Sequence, residues 1–132
     1  MAGNETLLFR RLRDSLPDAI FTRIESRVNL GIPDCLIALD GQLVAVELKV
    51  VTRGNKVAIS AHQISWLERH AKAGVPCYVL VAVKKNVSTA VLRLYGGDQA
   101  AALSVHGLAL APLDEWPWRN VPWIVVRERL SR

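Results

Sequence analysis

The chain is poor in the residues that mark several protein classes. It has two cysteines among 132 residues, set in the apolar runs PDCLIAL and CYVLVAV. They form no CxxC pair and lack zinc-ligand spacing, so a zinc module is set aside and a disulfide framework disfavoured. Cys35 and Cys77 read as small buried thiols of a reducing compartment. No apolar stretch approaches the roughly 20 residues that span a bilayer, and MAGNETLLFRRLRDS is too charged for a secretory leader. A soluble, cytoplasmic protein with no membrane partner is expected. No repeat, low-complexity tract or linker divides the sequence, which predicts a single domain over residues 1–132. Acids are also scarce: 12 Asp and Glu stand against 17 Lys and Arg, a formal charge of +5. That balance suits a polyanion such as nucleic acid but does not by itself require one.

The residues that are present describe an ordinary globular domain, 51% hydrophobic and 22% charged. Asn4 can cap a first helix running to about Leu16, with Leu8, Leu12 and Leu16 on one face. AIFTRIESRV alternates as a strand does. CLIAL and QLVAVELKVV are joined by Asp40-Gly41, a strong two-residue hairpin signal. Ser60 opens a second helix, SAHQISWLERHAKAG, with Ile64, Leu67 and Ala71 inward and Gly74 at its end. CYVLVAV, apolar on both faces, fits the middle of a covered sheet and should run parallel to QLVAVELKVV. STAVLRLY is a further strand, and Asp98 the cap of a short helix. The tail LDEWPWRNVPWIVVRERL follows no clear period. The expectation is an α/β domain with a mixed sheet of about five strands flanked by helices.

Two acids interrupt the hairpin, and the turn places them. With a two-residue loop at Asp40-Gly41, Leu39 pairs with Gln42, and partners sum to 81. Asp34 therefore falls directly across from Glu47, on one face of the sheet with Cβ atoms roughly 4.5–5.5 Å apart. Lys49, two residues on, shares that face, as do the apolar Leu36, Ala38, Leu43 and Ala45. Two ionised carboxylates about 5 Å apart repel by roughly 3 kcal/mol at an effective dielectric near 20. One is protonated, a basic group lies between them, or a divalent cation bridges them. Mg²⁺ takes such oxygen ligands; it can activate water and neutralise phosphate charge, and Lys49 can steady the water or the transition state. The bland alternative is a Lys49–Glu47 surface pair.

Ile32-Pro33-Asp34, a gap of a dozen residues, then Glu47-Leu48-Lys49 resembles the PD-(D/E)XK nuclease superfamily. The longer pattern RIES…GIPD…VELKV…SAHQISWL…AGVPCYVLV is similar to its small stand-alone branch of archaeal Holliday-junction resolvases, VRR-NUC domains and phage-encoded relatives. The likeness covers about residues 5–95, leaving 96–132 as a C-terminal extension. It implies a restriction-endonuclease-like fold and a Mg²⁺- or Mn²⁺-dependent endonuclease acting on double-stranded or branched DNA, working as a homodimer. If phage-encoded, its place is the host cytoplasm. The resemblance makes Asp34, Glu47 and the backbone carbonyl of Leu48 the metal ligands and Lys49 the catalytic lysine.

Other residues carry two readings each. Glu5 and Glu25 compete as a further metal-site glutamate; Glu5 is otherwise an acid favoured near a helix N-terminus, and Glu25 a strand residue paired with Arg23 or Arg27. Gln63 matches a glutamine that helps place water or phosphate in relatives, yet Ser60-x-x-Gln63 is also a capping box. Arg10, Arg11 and Arg13, and the loop Arg53-Gly54-Asn55-Lys56, are candidate phosphate contacts. Trp116, Trp118 and Trp123 could stack on bases, cover a dimer interface or pack the tail. His62, His70 and His106 form no convincing metal or acid–base pair. The rival readings are a catalytically silent nuclease fold that binds DNA or protein, and an α/β domain whose acidic pair holds a structural ion.

Overall fold

Helical periodicity in the first segment buries Leu8, Leu12 and Leu16 on one side of helix α1 (Asn4–Ser15). This computed structural model describes residues 4–24 and 30–131. After α1 come strands β1 (Ile20–Arg23), β2 (Cys35–Leu39) and β3 (Gln42–Val51), helix α2 (Ala61–Lys72), then β4 (Cys77–Val83) and β5 (Val91–Gly96). Helix α3 (Ala100–His106), strand β6 (Asp114–Pro117) and helix α4 (Trp123–Leu130) complete the chain. The strands form one sheet in the order β1-β2-β3-β4-β5-β6. β3 and β4 are parallel, joined through α2, and every other neighbouring pair is antiparallel.

The hairpin between β2 and β3 has the expected tight turn. Asp40 and Gly41 adopt φ of 51° and 76°, the left-handed pair whose twist matches that of the strands. The register runs from Leu39 opposite Gln42 to Cys35 opposite Val46. Side chains then alternate across the sheet. Cys35, Ile37, Val46, Leu48, Leu80 and Leu94 pack under α1 and α4. Ala45, Val79, Val81 and Tyr95 pack under α2 and α3. Each leucine so enclosed contributes roughly 1.5–3 kcal/mol. Cys35 and Cys77 are buried and free.

The structure departs from the sequence reading in three places. The sheet has six strands, not about five, because the tryptophan-rich tail supplies β6, pairing Leu92 with Trp116. Asp98 does not cap α3: a 3₁₀ turn over Gly97–Gln99 precedes the helix, and Gln99 Oε1 accepts from Gly96 N at 2.9 Å. The apolar face of the hairpin is only partly covered. Ala45 is buried, Leu36 and Ala38 half-buried, and Leu43 56% exposed, since α2 lies over β4 rather than over the hairpin tip. The strand expected over AIFTRIESRV is described as β1 for its first part, and Glu25 lies outside the described residues.

Candidate active site

The carboxylates are brought together by a loop pressed against a helix. Gly31, at φ 77°, lies so close to α2 that a Cβ there would overlap the His62 carbonyl oxygen. Only glycine fits that close approach in a left-handed conformation. The following Pro33 is buried, and Asp34 enters β2 with its side chain toward β3. Asp34 N donates to Glu47 Oε1 at 3.2 Å, and Leu48 N donates to Asp34 Oδ2 at 2.8 Å. The two acids thus meet just beyond the last registered pair, Cys35 opposite Val46.

Lys49 and Gln63 complete the group. Lys49 Nζ lies 3.3 Å from Glu47 Oε2 and donates to Gln63 Oε1 at 3.1 Å. Gln63 Nε2 donates to Glu47 Oε2 at 2.8 Å. The same glutamine closes the capping box: Ser60 N donates to its Oε1 at 3.0 Å, and Gln63 N donates to Ser60 Oγ at 3.1 Å. The capping reading of Gln63 is met by its amide oxygen at the helix start, while its amide nitrogen reaches the Glu47 carboxylate.

Glu47 is the only buried charged side chain among the described residues, 2% exposed. Burial pushes its carboxyl up to about 7, the negative charge of Asp34 pushes the same way, and Lys49 opposes both. An acid raised to about 7 is only partly ionised at neutral pH, and further positive charge beside it favours the ionised form.

The donor set fits a hard divalent cation. Asp34 and Glu47 supply carboxylate oxygens, the chemistry Mg²⁺ and Mn²⁺ prefer. The Leu48 carbonyl turns to the same side of β3 as its N–H, toward Asp34, because an extended residue presents both groups to one neighbour. Among the described residues no group of three His, Cys, Asp or Glu could hold a metal, so oxygens beyond the acidic pair would come from that carbonyl or from solvent. Glu5 does not point inward as an extra ligand. It is exposed in the first turn of α1, a helix packed on the other face of the sheet.

The basic residues divide by position. Arg10, Arg53, Asn55 and Lys56 are exposed, and the loop between β3 and α2 is pinned where Leu108 N donates to Asn55 O at 2.8 Å. Arg11 crosses α1 to Trp118, its Nη2 donating to the Trp118 carbonyl at 2.7 Å. Arg13 pairs with Asp14. Trp116 is buried, while Trp118 and Trp123 are half-buried against the core. His62 and His106 are exposed, and His70 stacks on Trp66 at 3.6 Å. Gly31 and Lys84-Lys85 had not stood out in the sequence. The lysines carried a usable signal: they end a strand expected to run parallel to VELKV, so they had to land beside its C-terminal end.

No family model matches the chain, and no curated protein sequence does. Among the solved structures that match is Hjc of Archaeoglobus fulgidus, a Holliday junction resolvase from an archaeal hyperthermophile, with a TM-score of 0.54 and 18% identity. The match covers 71% of this chain and 78% of that one. The likeness is one of fold: a mixed sheet flanked by helices, similar to that of this resolvase.

Proposed function

We propose that the protein is a divalent-metal-dependent endonuclease that hydrolyses DNA phosphodiester bonds, with branched or four-way-junction DNA preferred over plain duplex. The observation that carries this reading is the single hydrogen-bonded group of Asp34, Glu47, Lys49 and Gln63 on one face of the sheet. The fold shared with a Holliday junction resolvase supports it. Asp34, Glu47 and the Leu48 carbonyl would hold Mg²⁺ or Mn²⁺, which when bound acidifies a water and offsets charge on the phosphate. Lys49, tethered by Glu47 and Gln63, presents its ammonium to the attacked phosphate or the attacking water. Gln63 fixes the rotamer of Glu47, leaving the carboxylate aimed rather than mobile. Arg53, Asn55 and Lys56, with Arg10, contact backbone phosphates without reading sequence.

A homodimer belongs to the same reading. Ile20, Ala38 and Leu43 form one row across β1, β2 and β3, and Ile20 and Leu43 are 71% and 56% exposed. That open apolar row at the sheet edge is a natural place for a second copy. Membership of the stand-alone resolvase and VRR-NUC branch, phage-encoded relatives included, and action in the cytoplasm complete the proposal.

The test is nicking of supercoiled plasmid and of a synthetic four-way junction, with Mg²⁺ or with EDTA, by wild type, Glu47→Ala and Lys49→Ala. Metal-dependent cleavage lost in both variants is expected. Equal activity in wild type and variants would reveal a contaminant and remove the assignment. DNA binding without cleavage by a metal-loaded wild type would leave a silent nuclease fold instead.

A further inference from the structure

The cations of this protein are not evenly spent. Arg127 is paired with Asp18 and Asp40, Arg129 with Asp114, and Arg93 with Glu115. At the other end of the sheet, where β3, β4 and β6 finish, the loops 52–56 and 84–89 and the turn 118–120 carry Arg53, Lys56, Lys84, Lys85 and Arg119 without one acid. The strand register brings these segments together: Val51 pairs with Val83, Val83 with Val91, and Val91 with Pro117. Among the described residues none of the five cations has an ion-pair partner.

A built pocket opens on this rim. Arg11, Lys84 and Trp118, over an apolar floor that includes Val50 and Ala82, line a cavity of about 240 Å³. The Arg11 guanidinium lies 3.9 Å from the Trp118 ring centroid and Lys84 Nζ 4.8 Å from it. Arg11 is half-buried and has no carboxylate partner among the described residues. Its burial lowers its pKa through desolvation, a cost that an anion in the pocket would offset. The aromatic ring and the 2.7 Å bond to the Trp118 carbonyl hold the guanidinium in place, so little side-chain freedom is left to lose on binding.

We propose that Arg11, Lys84 and Trp118 form a phosphate-binding pocket that grips a nucleic-acid backbone on the face of the sheet opposite Glu47 and Lys49. Val50 lines the pocket while its neighbour Lys49 points the other way, as successive residues of a strand must. The two sites therefore stand back to back across the end of β3. Nucleic acid held at both has to bend around that end or arrive as two arms, with Lys85 and Arg119 along the rim. The inference rests on nucleic acid being the partner, and it assigns the tryptophan-bearing tail a role in binding.

The test is anisotropy of a fluorescein-labelled four-way junction in EDTA, titrated with salt, so that no cleavage enters. Arg11→Gln/Lys84→Ala should bind about tenfold more weakly at 0.1 M salt. Its slope of log K against log salt should be shallower by about two, as for two lost phosphate contacts. Lys72→Ala, an exposed charge removed at the opposite end, should change neither. If the double variant loses its circular-dichroism signature, the exposed Lys84→Ala alone decides, with a slope change of about one. Unchanged affinity and slope, an equal effect of Lys72→Ala, or no DNA binding by wild type overturns the pocket. Wild type that binds in this way but never cuts would refute the nuclease reading and leave the pocket standing. Glu47-dependent cutting with wild-type binding by the double variant would do the reverse.

Discussion

Gln63 Nε2 donates to Glu47 Oε2 at 2.8 Å, across the gap between α2 and β3. Because Gln63 Oε1 also accepts from Ser60 N and Lys49 Nζ, the start of a helix and the aim of a buried carboxylate are set by one amide. Helix geometry thereby becomes site geometry, and the two functions of Gln63 can be separated by substitution.

Ser60→Ala removes the hydroxyl that accepts from Gln63 N and leaves the Glu47 contact. It should cost about 1 kcal/mol of stability and leave cleavage close to wild type. Gln63→Ala should lower stability similarly and also cut the nicking rate roughly 10–100-fold, the usual effect of losing an orienting partner. Thermal melts read beside plasmid nicking check both. Equal nicking by the two variants would mean that Gln63 acts only as a cap.

The pH dependence of metal-free stability follows from Glu47. Its folded-state value of about 7 lies above the ordinary 4.5, so the folded chain binds this proton more tightly than the unfolded chain. That contribution is complete below pH 4.5 and is lost as pH rises through 7. Wild-type melting temperature in EDTA should fall over this window relative to Glu47→Gln, which has no proton to lose. Parallel curves for the two proteins would contradict the shift.

Metal should reverse that loss. A cation that binds the folded chain alone at one hundred times its dissociation constant stabilises by about 2.7 kcal/mol. Mg²⁺ or Mn²⁺ added at pH 8 should therefore raise the melting temperature of wild type but not of Asp34→Asn or Glu47→Gln. Chelation should restore the starting value, as calorimetry can show.

Gly31→Ala tests the loop that delivers Asp34. Its left-handed backbone alone should cost roughly 1–3 kcal/mol for a residue with a side chain, and overlap with the His62 carbonyl adds to this. Denaturant melts should show the loss, and metal-induced stabilisation should weaken because Asp34 is displaced. A variant as stable as wild type would mean that the loop does not press on α2.

Association should depend on the apolar row at the sheet edge. Leu43→Asp is expected to shift sedimentation toward the monomer while leaving the melting temperature near wild type, because Leu43 is largely exposed. A wild type that is already monomeric at micromolar concentration would remove the dimer.

The hairpin and its acids could be read from the chain because their causes are local. Asp40-Gly41 permits the left-handed turn, the turn sets the register, and the register carries Asp34 to Glu47. The parallel strand followed in the same way from an apolar run after a helix. β6 was hidden because DEWP has no alternating period and becomes a strand only by pairing with β5. Glu5 had two open readings, and its exposed place in the first turn of α1 depends on how that helix packs on the sheet.

By itself the sequence determined the turn, the strand pairing and the meeting of two carboxylates with a lysine, since backbone sterics and the two-residue strand period act over short distances. Only the tertiary structure decided that Glu47 is enclosed deeply enough to hold its proton near neutral pH. The same holds for Gln63 serving both helix and carboxylate, and for Trp118 bringing Arg11 and Lys84 together from α1 and the end of β4. Burial and charge pairing depend on which distant segments pack against one another, and no local pattern encodes that.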